Sequence, residues 1–143
     1  MLYSTIMISA APGELHFLCP KLGERTPMAK RPRAYITAHW SDNEYENTVK
    51  AAKYLRAVYV AGYDPYTPLP LYSLFLHDEN PKEHKDGLDM AKERILASNL
   101  LVVCGDTIDE TMKTDIATAK RRGITVTTLA GILAVGDYIA DAK

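Results

Sequence analysis

Apolar residues along this chain switch their spacing from two to three or four and back several times, and this alternation of periods predicts strands alternating with helices. Ala34-Tyr35-Ile36-Thr37-Ala38 is the first β-prone run, followed by Ser41-Asp42-Asn43, three residues suited to capping a helix. Tyr45, Val49, Ala52, Tyr54, Leu55 and Val58 then recur at helical steps, which predicts a buried face ending near Gly62. Tyr63-Asp64-Pro65-Tyr66 predicts a brief second strand, closed by Pro65, Pro68 and Pro70, which have no N–H to give to a ladder.

Residues 71–86 carry Phe75, His77 and His84 among polar positions, and a lid-like loop with one helical turn is expected there. A second helix is expected over 86–98, with Leu88, Ala91, Ile95 and Leu96 inward. Leu100-Leu101-Val102-Val103-Cys104 is apolar throughout, as a central parallel strand covered on both faces must be. A polar loop over 105–110, a helix over 111–122, a β-branched strand over 124–129 and a last helix over 132–140 complete the pattern.

The expected fold is therefore α/β: a doubly wound, Rossmann- or flavodoxin-like, mainly parallel sheet of four to five strands with helices on both faces. Residues 1–32 are interrupted by Pro12, Gly13, Pro20, Gly23, Pro27 and Pro32 and read as an N-terminal extension, with the domain over 33–143. A product starting at Met28 would lose little of the core.

Composition narrows the function more than the fold. The 143 residues suffice for one domain with a real core. Seventeen Lys plus Arg against eighteen Asp plus Glu, a net charge of −1, disfavour a polynucleotide partner, since such partners are held mainly by phosphate neutralisation. Cys19 and Cys104 are too few for a disulfide framework or a zinc cage, and His16, His77 and His84 show no ligand spacing with them, so neither a metal nor a cofactor is expected. The reading is a soluble, cytoplasmic protein: no early basic cluster leads into a long apolar run, and no stretch approaches the roughly 20 residues a bilayer requires.

In a doubly wound sheet, ligands sit beyond the carboxyl ends of the strands. The loops over 38–43, 66–72 and 105–112 should meet there, which makes His39, Trp40, Asp109, Glu110, Thr111, Met112 and Asp115 the functional candidates. Trp40 could stack on a base and His39 could bond a sugar or phosphate. Asp106, Asp109, Glu110 and Asp115, crowded near a helix start, could serve as metal ligands, as general acid and base, or as a nucleophile with its orienter, with helix capping as the simpler reading, and Asp89 reads equally as a partner of the helix dipole or as a site residue. Asp115 lies beyond the first helical turn, where capping does not explain an aspartate. Neither GxGxxG nor GxxxxGK[ST] is present, against dinucleotide dehydrogenases and P-loop phosphotransferases.

Four segments carry a resemblance: Tyr35-Ile36-Thr37-Ala38-His39-Trp40; Glu46-Asn47-Thr48-Val49 with Ala52; Gly62-Tyr63-Asp64-Pro65; and Asp109-Glu110-Thr111-Met112-Lys113-Thr114-Asp115-Ile116 with Ala119. Over about 33–129 the chain resembles the nucleoside 2-deoxyribosyltransferase-like superfamily, and within it a branch of small domains from phages and mobile elements. The resemblance implies a carboxylate nucleophile at Asp115, further acids at Asp109 and Asp89, a tyrosine at Tyr35 that sets the nucleophile, and a homo-oligomer. The chain departs from that pattern in two places: aspartate replaces the family's glutamate at position 115, and Thr111 stands where the branch has glycine.

The implied function is N-glycosidic bond hydrolysis or deoxyribosyl transfer on a nucleoside or nucleotide. The alternative is a non-catalytic nucleotide-binding or sensing domain that has lost the catalytic glutamate, and a third reading is a structural partner in an oligomer with no ligand.

Overall fold

β1, Arg33–Ala38, is the strand around which the sheet is built. The structure is a computed structural model and describes residues 30–134. Much of the expected extension, Cys19, His16 and the end of the last helix lie outside the described residues. Among the described residues the strands are β1, β2 (Asp64–Tyr66), β3 (Leu100–Cys104) and β4 (Thr125–Thr128), in the spatial order β2-β1-β3-β4, all parallel. The doubly wound parallel fold expected from the periodicity is the one formed.

The β1 side chains divide by parity. Ala34, Ile36 and Ala38 pack with Leu100, Val102 and Cys104 against Val58 on α1, Glu44–Val60, and against Ile132 in a helical stretch over 129–134. Tyr35 packs with Leu101 on the other face, against Ile95 of α2, Pro81–Leu96, and Ala119 of α3, Glu110–Arg121. Both faces of β3 are covered, so its five residues are all buried. Because β2 and β3 flank β1 on opposite sides, the crossovers diverge at β1, and the topological switch point, where sheets of this kind hold their ligands, falls between the β1 and β3 carboxyl ends.

Local capping fixes where the helices start. Asn43 Oδ1 accepts the Glu46 N–H at 3.0 Å at the head of α1. The second helix begins at Pro81 rather than near residue 86, because Asn80 Oδ1 accepts the Lys82 N–H at 2.9 Å and Pro81 gives up no helical hydrogen bond in the first turn. The lid-like stretch is correspondingly shorter and holds one 3₁₀ turn, Tyr72–Leu74.

The buried face of α1 also differs from expectation. Tyr45 is 77% and Val49 51% exposed, whereas Asn47, Ala51 and Val58 are buried. The amide of Asn47 accepts the Ser41 N–H at 2.9 Å and donates to the Ser41 C=O at 2.8 Å. This polar anchor, not an apolar contact, sets the rotation of the helix's first turns. Leu88, expected inward on α2, is more than half exposed, and the helix seats itself through Ala91 and Ile95.

Candidate functional site

The alternation of β1 that buries Tyr35 on the α2–α3 face puts Thr37 on that face too, near the strand's carboxyl end. From α3, Met112, Asp115, Ile116 and Ala119 follow steps of three and four, so Asp115 interrupts an apolar stripe turned to the sheet. The two elements meet in a hydrogen bond: Thr37 Oγ1 donates to Asp115 Oδ2 at 2.8 Å. Asp115 Oδ1 has no hydrogen-bond partner among the described residues.

Withdrawal from water dominates the electrostatics of Asp115. Burial pushes its carboxyl up to about 6, against the pull of the Thr37 hydroxyl, and the Asp109 charge pushes the same way as burial. Tyr35 lies beneath it, 2% exposed, its phenol raised far above the ordinary value first by burial and then by the charge of Asp115. Tyr35 meets the Tyr66 ring at 5.8 Å between centroids; Tyr66 Oη donates to Tyr72 Oη at 2.9 Å, and the Arg94 guanidinium lies 4.5 Å from the Tyr66 ring centre. Tyr35 and Tyr66 thus pack on the same side of the sheet as a partly buried carboxylate.

Asp109 forms the rim. It is the N-cap of α3, with Oδ1 accepting the Met112 N–H at 2.9 Å, while Oδ2 lies 2.8 Å from His39 Nδ1. Burial raises its carboxyl, but hydrogen bonds from Met112, His39 and Thr111 together outweigh that and leave it below the usual aspartate value. His39 is itself held at the backbone, where Lys50 Nζ donates to its carbonyl at 3.2 Å.

The structure therefore brings Tyr35, His39, Asp109 and Asp115 together, and adds Thr37, which the sequence reading passed over as an ordinary strand residue. Its parity with Tyr35 was the available signal. Other candidates go elsewhere. Asp89 is exposed and its Oδ2 takes a 2.6 Å hydrogen bond from Lys85, an i,i+4 pair on the outer face of α2. Met112 is fully buried under α3, so it serves packing and not a ligand. Glu110 points to solvent with Lys113 at 3.0 Å, as a first-turn acid does, and Thr111 is exposed. Trp40 packs edge-on against Tyr54, 6.4 Å between centroids, as a half-buried core aromatic.

Thr67, just past β2, keeps a buried hydroxyl with no hydrogen-bond partner among the described residues. No three His, Cys, Asp or Glu side chains among the described residues converge as metal ligands. Among the described residues, no helix is long and apolar enough to cross a membrane.

Residues 32–129 match the family described as Domain of unknown function (DUF7768). The chain belongs to this family. No curated protein matches it. Among solved structures, a 2-deoxyribosyltransferase from Bacillus psychrosaccharolyticus is similar to it, with a TM-score of 0.53 and 16% identity over 67% of this chain and 70% of that one. Likeness at that identity shows a shared fold.

Proposed function

We propose that this domain cleaves or exchanges the N-glycosidic bond of a nucleoside or nucleotide, with Asp115 as the nucleophile. The observation that carries the reading is the Asp115 carboxylate, held by Thr37 at the β1–β3 switch point with one oxygen free and its pKa raised to about 6. A carboxylate so placed can attack an anomeric carbon and stabilise an oxocarbenium-like centre. The shared fold with a 2-deoxyribosyltransferase supports the same substrate class.

The covalent step has a direct test. A 2-fluoro-arabinosyl nucleoside, which slows breakdown of a glycosyl-enzyme, should leave a mass adduct on the peptide containing Asp115 in the wild type and none in Asp115→Asn. Free base released from deoxynucleosides and their monophosphates, read by chromatography, should vanish in Asp115→Ala.

One observation favours a second reading, a nucleotide binder without turnover: aspartate is one methylene shorter than glutamate, and Thr37 draws one of its oxygens toward the sheet. Under that reading the wild type gains thermal stability from nucleotides but releases no base, while Asp115→Glu begins to release it.

A further inference from the structure

Taking Asp115 as the nucleophile, we propose that His39, positioned by Asp109, is the proton-transfer residue of the site: it protonates the departing base and then takes a proton from the incoming hydroxyl. Three placements carry this. His39 lies two residues beyond Thr37, the residue bonded to Asp115, so the β1 exit delivers it to the β1–β3 switch point. Asp109 Oδ1 is occupied by the Met112 N–H, which fixes the orientation of the carboxylate and directs Oδ2 to His39 Nδ1 at 2.8 Å. That contact uses Nδ1 and leaves Nε2 with no partner among the described residues, on a side chain 48% exposed at the rim.

The groups around His39 agree with proton transfer. Asp109 faces the ring from the head of α3, Lys50 reaches the His39 carbonyl from α1, and Asp115 lies deeper on α3, close enough to Asp109 for their charges to interact. The Asp109 carboxylate accepts from Nδ1–H and so keeps a proton on that nitrogen, which makes Nε2 the nitrogen that exchanges. In the first step the C1′–N bond breaks as an Asp115 oxygen bonds to C1′, and the Nε2 proton passes to the base nitrogen. In the second, the oxygen of water or an acceptor hydroxyl bonds to C1′, its proton goes to Nε2, and the Asp115–C1′ bond breaks. Each proton taken from the histidine is returned to it.

A second pair supplies a built-in control. His84 Nδ1 lies 2.7 Å from Asp78 Oδ1, a similar contact, but on the loop and helix away from the switch point, with both partners more than half exposed.

The experiment compares base release from a natural deoxynucleoside with release from an analogue bearing 5-nitrouracil, which departs as a stable anion and needs no proton. His39→Gln should lower kcat/KM about 10²- to 10⁴-fold on the natural substrate and less than about tenfold on the analogue. Asp109→Asn, which retains a capping oxygen, should show the same split in weaker form, and His84→Gln should match the wild type on both. Equal losses on the two substrates, or no loss in His39→Gln, would overturn the role of His39 while leaving Asp115 in place if Asp115→Ala is dead on both. Full activity in Asp115→Ala overturns the nucleophile itself, and a wild type silent on both substrates ends both readings.

Discussion

Replacing Asp115 by asparagine should stabilise the protein at neutral pH while destroying the chemistry proposed for it. The carboxyl's ordinary value of 3.8 is raised to about 6 in the folded chain, chiefly by burial. The folded state thus holds the Asp115 proton more tightly than the unfolded state does. The stability this group contributes is fully present below about pH 3.8 and is lost as pH rises through about 6. At 1.36 kcal/mol for each tenfold change in proton affinity, the ionised carboxylate costs the fold about 3 kcal/mol above that range. Asparagine carries no such penalty and can still accept the Thr37 hydroxyl. Urea unfolding of both proteins should show Asp115→Asn ahead by up to about 3 kcal/mol near pH 8 and by under about 1 kcal/mol near pH 4. Subtracting one protein's stability from the other's removes the titration of every group they share. A difference that stays constant across pH, or a wild type that is the more stable near pH 8, would refute the assignment of a desolvated carboxylate.

Thr37→Val removes a donor to the ionised carboxylate, so Asp115 should titrate higher and the acid limb of base release should move up by about one pH unit. Gly105 has φ +88°, and a Cβ there would meet Tyr54 Oη at 3.1 Å, so Gly105→Ala should lower stability by about 1–3 kcal/mol in thermal unfolding. Asn47→Ala removes both hydrogen bonds of the buried amide to the Ser41 backbone; a loss of about 1–2 kcal/mol in urea unfolding is expected. The Cys104 thiol, pushed up to about 12 by burial, should resist iodoacetamide in the native protein near pH 8 and react on unfolding, read by the mass of its peptide.

The architecture was legible because its signals are long-period ones. Five apolar residues in succession at 100–104, of strand length and bounded by Asn99 and Gly105, carry the signature of a strand covered on both sides, and Gly123 marks the turn after the helix expected over 111–122. What failed were inferences that treated a hydrophobic residue as a buried one. Tyr45 and Val49 look like core on helical spacing, yet a single asparagine amide decides the rotation of α1. Asn80-Pro81 is itself a helix-start signal, hidden among the polar residues read as a lid.

At the site, the strand parity of β1 and the helical steps of α3 were both present in the sequence, and together they would have paired Thr37 with Asp115. Asp89 shows the opposite lesson. A resemblance carries a residue by its position along the chain, whereas its side chain is steered by its neighbours, and here Lys85 four residues earlier holds it outside.

Asp109 links the stability of α3 to the arrangement of the site. One of its oxygens starts the helix that carries Asp115, and the other holds His39. The helix cannot fray at its first turn without releasing the histidine and loosening the register of Asp115 against Thr37. Asp115 itself sits in a helix interior, where aspartate is a poor former, and on a stripe where Met112, Ile116 and Ala119 would pack better beside an apolar residue. The chain thus accepts a propensity penalty and a desolvation penalty at one residue, and adds a threonine hydroxyl that favours its ionised form. Stability alone gives no reason for that combination; the charged nucleophile proposed for this position would account for all three features.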